Sequence, residues 1–460
     1  MSEGNISERI GAYAASMSYK DLPEEVIHQV KRLTVDSFGC GLRSFDSPPA
    51  EAAKAAAAGV TGPHLATILG TKSKTTSDLA AFVNGTMVRF LDYNDTYIMK
   101  DTGHPSDAIP VVLAAAEAEG LDGKAAILGI VLAYEMQAAW IDTWPGDPWD
   151  QAVQGIISMP VGVGKVMGLT AEQISHAVRL SVACGVVLEG ARGTGGGISH
   201  LKASTMAIAG KNAIFYAQLA RNGYTGPTEI FEGPSGYFAT LVHEKPSMAP
   251  LTGERERPAG FRIMQSGVKR YPSGHPSQEF IEATIECRKA LEAPSLDQVE
   301  NIHVRTYKKG YTALFPNESR WTPENRETAD HSGPFVVTIA LRDGNVDPGH
   351  FEREEFKDPK VLAVMEKVTG ELDPECVAGH PDKLLNIVTV KLKDGRSHTA
   401  RVEYHRGHYK NPMSDKELEE KFTSCTEKLL SPERRRAALD AMWNLDKAKD
   451  LTTFMHQLVL

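Results

Sequence analysis

The sequence predicts a mainly α-helical protein interrupted by one α+β unit. Three observations lead there. Apolar residues recur at helical spacing through about residue 265, with few alternating runs. After Gly267 alternation appears, in 299–306, 387–392 (IVTVKL) and 397–404, and Lys393-Asp394-Gly395-Arg396 between the last two runs is a hairpin signal. From Ser414 the helical pattern resumes, so the tail can pack back on the first part. The expected division is 1–267 plus 406–460 as a helical unit formed by both chain ends, with 268–405 as the α+β unit between them. A chain of 460 residues also exceeds one ordinary core, which stops growing near ~250–300 residues.

The elements follow in order. Residues 7–17 carry apolar side chains at helical spacing, and Asp21-Leu22-Pro23-Glu24-Glu25 reads as an N-cap with proline at an early helical position. Residues 48–59 are alanine-rich and close at Gly59, and 76–90 are amphipathic. Ser106 opens a helix through Ala118, and the Asp122-Gly123 turn precedes an apolar helix over 124–139. Thr170, with Gln173 three residues on, forms a capping box for 171–188. A long helix over 202–222 is closed by Gly223. In the α+β unit, helices are expected near 333–341 and 359–368. Ser414-Asp415-Lys416-Glu417 and Ser431-Pro432-Glu433 begin tail helices, and 451–460 form the last.

Composition excludes several functions. Fifty Lys+Arg against 59 Asp+Glu give a net charge of -9, which argues against a broad nucleic-acid surface. The five cysteines form no CxxC pair and no HxxxH occurs, so neither a disulfide framework nor a metal site is expected. The amino terminus has early acids and no apolar core of a signal peptide, and the most apolar stretches fall short of the ~20 residues that span a bilayer. The expected location is the cytoplasm, without membrane contact.

Four segments concentrate chemistry. LDYNDTYIMKDTGHPSD (91–107) gathers Asp92, Asp95, Thr96 and His104 between two helices. A carboxylate beside an imidazole fixes its tautomer and raises its basicity, although the same composition suits a polar loop of capping residues. GARGTGGGISHLK (190–202) offers backbone N–H groups and Lys202 to an anion, or is simply a flexible connection. KRYPSGHPSQ (269–278) places Lys269, Tyr271 and His275 at the unit boundary, as a cleft or as a solvated hinge. ADHSGPF (329–335) puts His331 at a helix start, where a lone histidine is more often structural than catalytic.

Together and in this order, these segments resemble the MmgE/PrpD family, which includes 2-methylcitrate dehydratases, cis-aconitate decarboxylases and an iminodisuccinate epimerase. Asn84-Gly85, LDYNDT and HPSD resemble its NGT…DxDDT…HPS signature. GKVMGLTAEQ (164–173), LKAST (201–205), LARNGYTGP (219–227), IFEGPSGY (230–237), KRYPS (269–273), RETADHSGPF (326–335) and NPMSDKELEEKF (411–422) follow the family order.

The resemblance implies an all-helical domain with an inserted α+β lid, a homodimer, no cofactor, and a small polycarboxylate substrate in the domain cleft. It implies Asp92, Thr96 and His104 as the catalytic set, with Lys202, Lys269, Asp95, Gln151, Tyr271, His275 and His331 toward substrate. Lys202 and Lys269 would hold carboxylates, assisted by the Gly193–197 amides, while His104, oriented by Asp92 or Asp95, would move the proton. RETADHS and Trp149-Asp150 are closer to the dehydratases, which implies a hydro-lyase. A decarboxylase, an epimerase or a non-catalytic carboxylate-binding paralogue are the alternatives. Departures from the family pattern are Gln151 for histidine, Phe335 for tyrosine, Asn94 for aspartate, and Gly274-His275 where Tyr-His is common; the missing imidazole and phenol are expected in the pocket.

Overall fold

A computed structural model describes residues 5–144, 149–192, 197–242 and 260–460. It is mainly helical, with small sheets. Side chains write many of the helix starts. Asn5 and Glu8 form a capping box for Ile6–Ser16, Thr170 and Gln173 for Ala171–Cys184, and Ser414 and Glu417 for Asp415–Thr426. Glu24–Arg43 begins one residue after Pro23, while Asp21 instead closes the Ser18 turn. The 202–222 expectation resolves into a short 3₁₀ turn, His200–Ala203, followed by Thr205–Arg221.

The apolar core falls into two main clusters. One takes its buried residues from Ile6 to Val268 and again from Met413 to Leu458; the other runs from Tyr271 to Val402. At the centre of the first lies Gly123–Thr143, longer than the sequence pattern suggested. Its length and apolarity would suit a bilayer, but 89% of its most apolar window is buried inside the protein. Ala152–Val166 packs beside it.

The second cluster is built on a four-stranded sheet ordered Val368–Leu372, Val299–Thr306, Asn386–Leu392, Ser397–Val402. The first pair is parallel, with Ile302 opposite Val368; the other two are antiparallel, with Ile302 opposite Val390 and Val388 opposite Ala400. Gln278–Ala290 and Gly333–Asp343 supply Phe280, Phe335 and Val337 to this cluster. The predicted Asp-Gly turn joins the last two strands, with Gly395 at φ 91°.

Candidate active site

The site starts where Ser77–Phe90 ends. The carbonyls of Phe90 and Leu91 accept from the Arg326 guanidinium at 2.9 and 3.1 Å, a cation at the negative end of the helix. Asp92 then takes φ 50°, the left-handed region that few residues other than glycine enter. Such backbone persists where its surroundings over-determine it. Here Oδ1 accepts from Arg89 at 2.5 Å and from Lys269, whose ammonium also reaches the Asp92 carbonyl at 2.9 Å. Oδ2 lies 3.1 Å from Lys202 and 3.6 Å from His331 Nε2.

Lys202 also donates to Asp330 Oδ1 at 2.6 Å, and His331 Nδ1 faces that same oxygen at 2.5 Å. Arg326 completes the group at 3.1 Å from Asp330 Oδ2. Lys421, from Asp415–Thr426, ties the surrounding chain together. Its buried ammonium donates to Asp36 Oδ1 at 2.5 Å, the Tyr93 carbonyl at 2.6 Å and the Lys269 carbonyl at 2.8 Å.

These contacts set the charges. Burial alone would raise the Asp92 carboxyl, but Arg89, Lys202 and Lys269 outweigh it and hold the group well below its ordinary value. Asp330 is likewise lowered against its burial, by Lys202 and His331. Burial brings Lys269 down to about 8 against the pull of Asp92, and burial with Lys202 brings His331 down to about 4. Asp95 and Asp107 are pushed by burial up to about 7, so near neutral pH each is only partly ionised. The balance around Asp92 is cationic, as an anion site requires.

His104 is buried, and its Nδ1 lies 2.6 Å from the Asp95 carbonyl oxygen. A carbonyl can only accept, so Nδ1 carries the proton and Nε2 the lone pair. Burial, then Arg89 and Lys269, push this ring well below its ordinary pKa, so it is neutral and able to take a proton. The main chain therefore orients His104, where the sequence pattern suggested the Asp92 or Asp95 carboxylate. Those carboxylates are committed elsewhere: Asp92 to the cations, and Asp95 to the Ser106 N–H at 3.0 Å and the Tyr134 hydroxyl at 2.9 Å.

Thr96 joins this loop to the chain just ahead of Lys269. Its N–H donates to the Gly267 carbonyl at 2.8 Å, and Gly267 N–H returns a bond at 2.9 Å. Among the described residues the buried Thr96 hydroxyl and His275 Nε2 have no hydrogen-bond partner, and both residues line a cavity of about 10 Å³. Asp92, Lys202, Lys269 and His331 thus share one network, with His104 and Asp95 on the adjoining loop. Gln151 and Tyr271 make no hydrogen bond to either group. Gln151 stands at the start of Ala152–Val166 with a buried Nε2 that has no partner among the described residues, and Tyr271 packs in the second core cluster. Gly193–196 lie outside the described residues.

Phe335 is not in the pocket as expected: it packs edge-on against Phe351 and Phe356, ring centroids 5.3 and 5.9 Å away. Asn94 donates to Ser106 Oγ at 2.9 Å and Asp107 Oδ1 at 3.0 Å, a place where an aspartate would face a second carboxyl. Sequence reasoning missed Arg89, Arg326 and Asp330. The i,i+3 spacing of Arg89 to Asp92 was the available signal for the first. Glu279 and His405, paired at 2.6 Å, come from distant segments and left no spacing to read.

Comparison with known proteins bears on this geometry. The model described as the MmgE/PrpD N-terminal domain matches residues 8–249, and that of the MmgE/PrpD C-terminal domain matches 271–447. The chain is 25% identical to the cis-aconitate decarboxylase of Homo sapiens, covering 98% of this chain and 94% of that protein. It is 27% identical to the 2-methylcitrate dehydratase of Cupriavidus necator, covering 90% and 88%. With the 2-methylcitrate dehydratase of Salmonella typhimurium the identity is 26%, again over 90% and 88%.

Proposed function

This chain belongs to the MmgE/PrpD family, and on that premise we propose that it is a lyase acting on a small di- or tricarboxylate, a hydro-lyase of the 2-methylcitrate dehydratase kind. The observation that carries the reading is a buried neutral imidazole beside a cationic network. Removing a proton next to a carboxylate builds charge on a group already anionic, and fixed cations in a dry site stabilise that charge as it develops. Lys202, Lys269 and Arg89 supply the cations. His104 Nε2 takes the proton from carbon. The C–O bond then breaks, and the Lys269 ammonium, whose pKa of about 8 suits a donor near neutral pH, gives a proton to the departing hydroxyl. One water leaves and a C=C bond remains.

Bound carboxylates would themselves raise the His104 pKa, since nearby anions favour the imidazolium. The base therefore strengthens only when substrate is present. Lys202 and Lys269 are buried, so substrate entry calls for opening, and the 268–405 unit is proposed as the lid. The two core clusters on either side of that boundary support this division. The protein is proposed to work in the cytoplasm.

The decarboxylase reading draws on the human relative, whose match spans 98% of this chain. Release of CO₂ instead of water would also pass through a carbanion- or enolate-like species, formed by C–C cleavage and then protonated. Incubating the purified protein with a panel of small polycarboxylates, followed by NMR, separates the two. Loss of water from a methylcitrate-type hydroxy acid is expected. CO₂ from cis-aconitate would favour the second reading, and no conversion of any member would remove both. His104→Ala should lower kcat by about 10²–10⁴-fold while leaving carboxylate binding largely intact.

A further inference from the structure

Three groups of histidine and carboxylate donors converge among the described residues. Two are already neutralised. Asp92, Asp330 and His331 carry Arg89, Lys202 and Lys269, and Asp343, His350 and Glu355 carry Arg342 and Arg353. The third, His275, Glu279 and His405, has no lysine or arginine hydrogen-bonded to it among the described residues. One donor atom from each lies within 4.8 Å of the others, and all three side chains are buried, at 5%, 0% and 2% exposure.

Two of its polar atoms, His275 Nε2 and Glu279 Oε2, have no hydrogen-bond partner among the described residues. A buried polar atom left unpaired is destabilising, so two in one trio call for a ligand. The frame is fixed. His275 and Glu279 stand one helical turn apart, where the His275–Ser277 turn runs into Gln278–Ala290. His405 arrives from the loop after Ser397–Val402, its Nδ1 2.6 Å from Glu279 Oε1. The 10 Å³ cavity is lined by His275 and His405 and also by His408. His408 Nδ1 accepts the Lys410 N–H at 3.1 Å, so its proton sits on Nε2 and it serves as a hydrogen-bond donor rather than a ligand.

We propose that His275, Glu279 and His405 form a binding site for a divalent transition-metal ion of the zinc class, with one coordination position left to the cavity. Two imidazoles and one carboxylate suit Zn²⁺ or Fe²⁺, whereas Ca²⁺ and Mg²⁺ favour oxygen-only shells. The separation of 126 positions from Glu279 to His405 explains why no spacing motif announces the site.

The full-length protein, stripped with a chelator, is titrated with Zn²⁺ against a chromophoric competitor. One tightly bound equivalent per chain is expected. His405→Ala and Glu279→Gln should each weaken it by more than the roughly 10–100-fold that follows loss of an outer-sphere partner. Should these variants fold poorly, X-ray absorption on the Zn²⁺-loaded unsubstituted protein decides, since two imidazoles and one carboxylate are expected around the ion. No tight equivalent, tight binding retained in both variants, or a shell without imidazole would overturn the site. Because binding is read without turnover, such a failure would leave the lyase reading intact.

Discussion

Asp92 holds left-handed backbone because three cations meet on its carboxylate, and burial, working against the pull of Asp92, leaves Lys269 able to lose a proton near pH 8. Above that value the proposed acid becomes a neutral amine. The kcat/KM of the free enzyme should therefore fall on the alkaline side with an apparent pKa of about 8. Lys269→Arg, which stays charged, should lose this limb while lowering the plateau. An unchanged alkaline limb in that variant would exclude Lys269 as its source. At this scale the sequence disclosed residue types but not their commitments. Asp92, Lys202, Lys269 and His331 meet, and the loop order suggested it. That a main-chain carbonyl rather than a carboxylate holds His104 could not be read, because backbone acceptors leave no letter in the sequence.

Between elements, Gly407 shows how the loop after Ser397–Val402 is clamped to the segment that carries Lys269. Val268 N–H donates to the Gly407 carbonyl at 2.8 Å, and Gly407 has φ 111°. A Cβ there would stand 2.1 Å from the Val268 carbonyl oxygen. Gly407→Ala should destabilise the protein by about 1–3 kcal/mol, read by denaturant unfolding. It should also lower activity, since Val268 lies between Gly267 and Lys269. A fully stable, fully active variant would contradict that clamp. Elements with strong punctuation were legible, such as the Asp-Gly hairpin and the Thr170–Gln173 box. Ala152–Val166 was not, because it is buried nearly all round and shows no polar face. Val368–Leu372 hid behind a short run containing Gly370, a residue that weakens strand signals.

For the whole molecule, a second copy is the proposed partner. Ile208 and Phe215, seven residues apart on Thr205–Arg221, are 37% and 50% exposed, and Leu188 and Leu201 are exposed nearby in sequence. Sedimentation should give a dimer, and Phe215→Glu should shift it toward monomer. A monomeric unsubstituted protein would remove the partner. The helical bulk of the molecule was legible because amphipathic spacing repeats over many turns. The pairing of first and last segments was only suggested, since contacts between distant segments carry no local signature.

That pairing has a consequence in time. Lys421 binds Asp36 and the carbonyls of Tyr93 and Lys269, so three stretches made early wait for one made late. A chain still on the ribosome carries His104, Asp92 and both proposed carboxylate-holding lysines, yet lacks the ammonium that pins their loops. Competence therefore arrives only with the closing turns of translation, and a transcript cut short before Lys421 would yield a polypeptide with every proposed reacting group and no settled pocket to hold them.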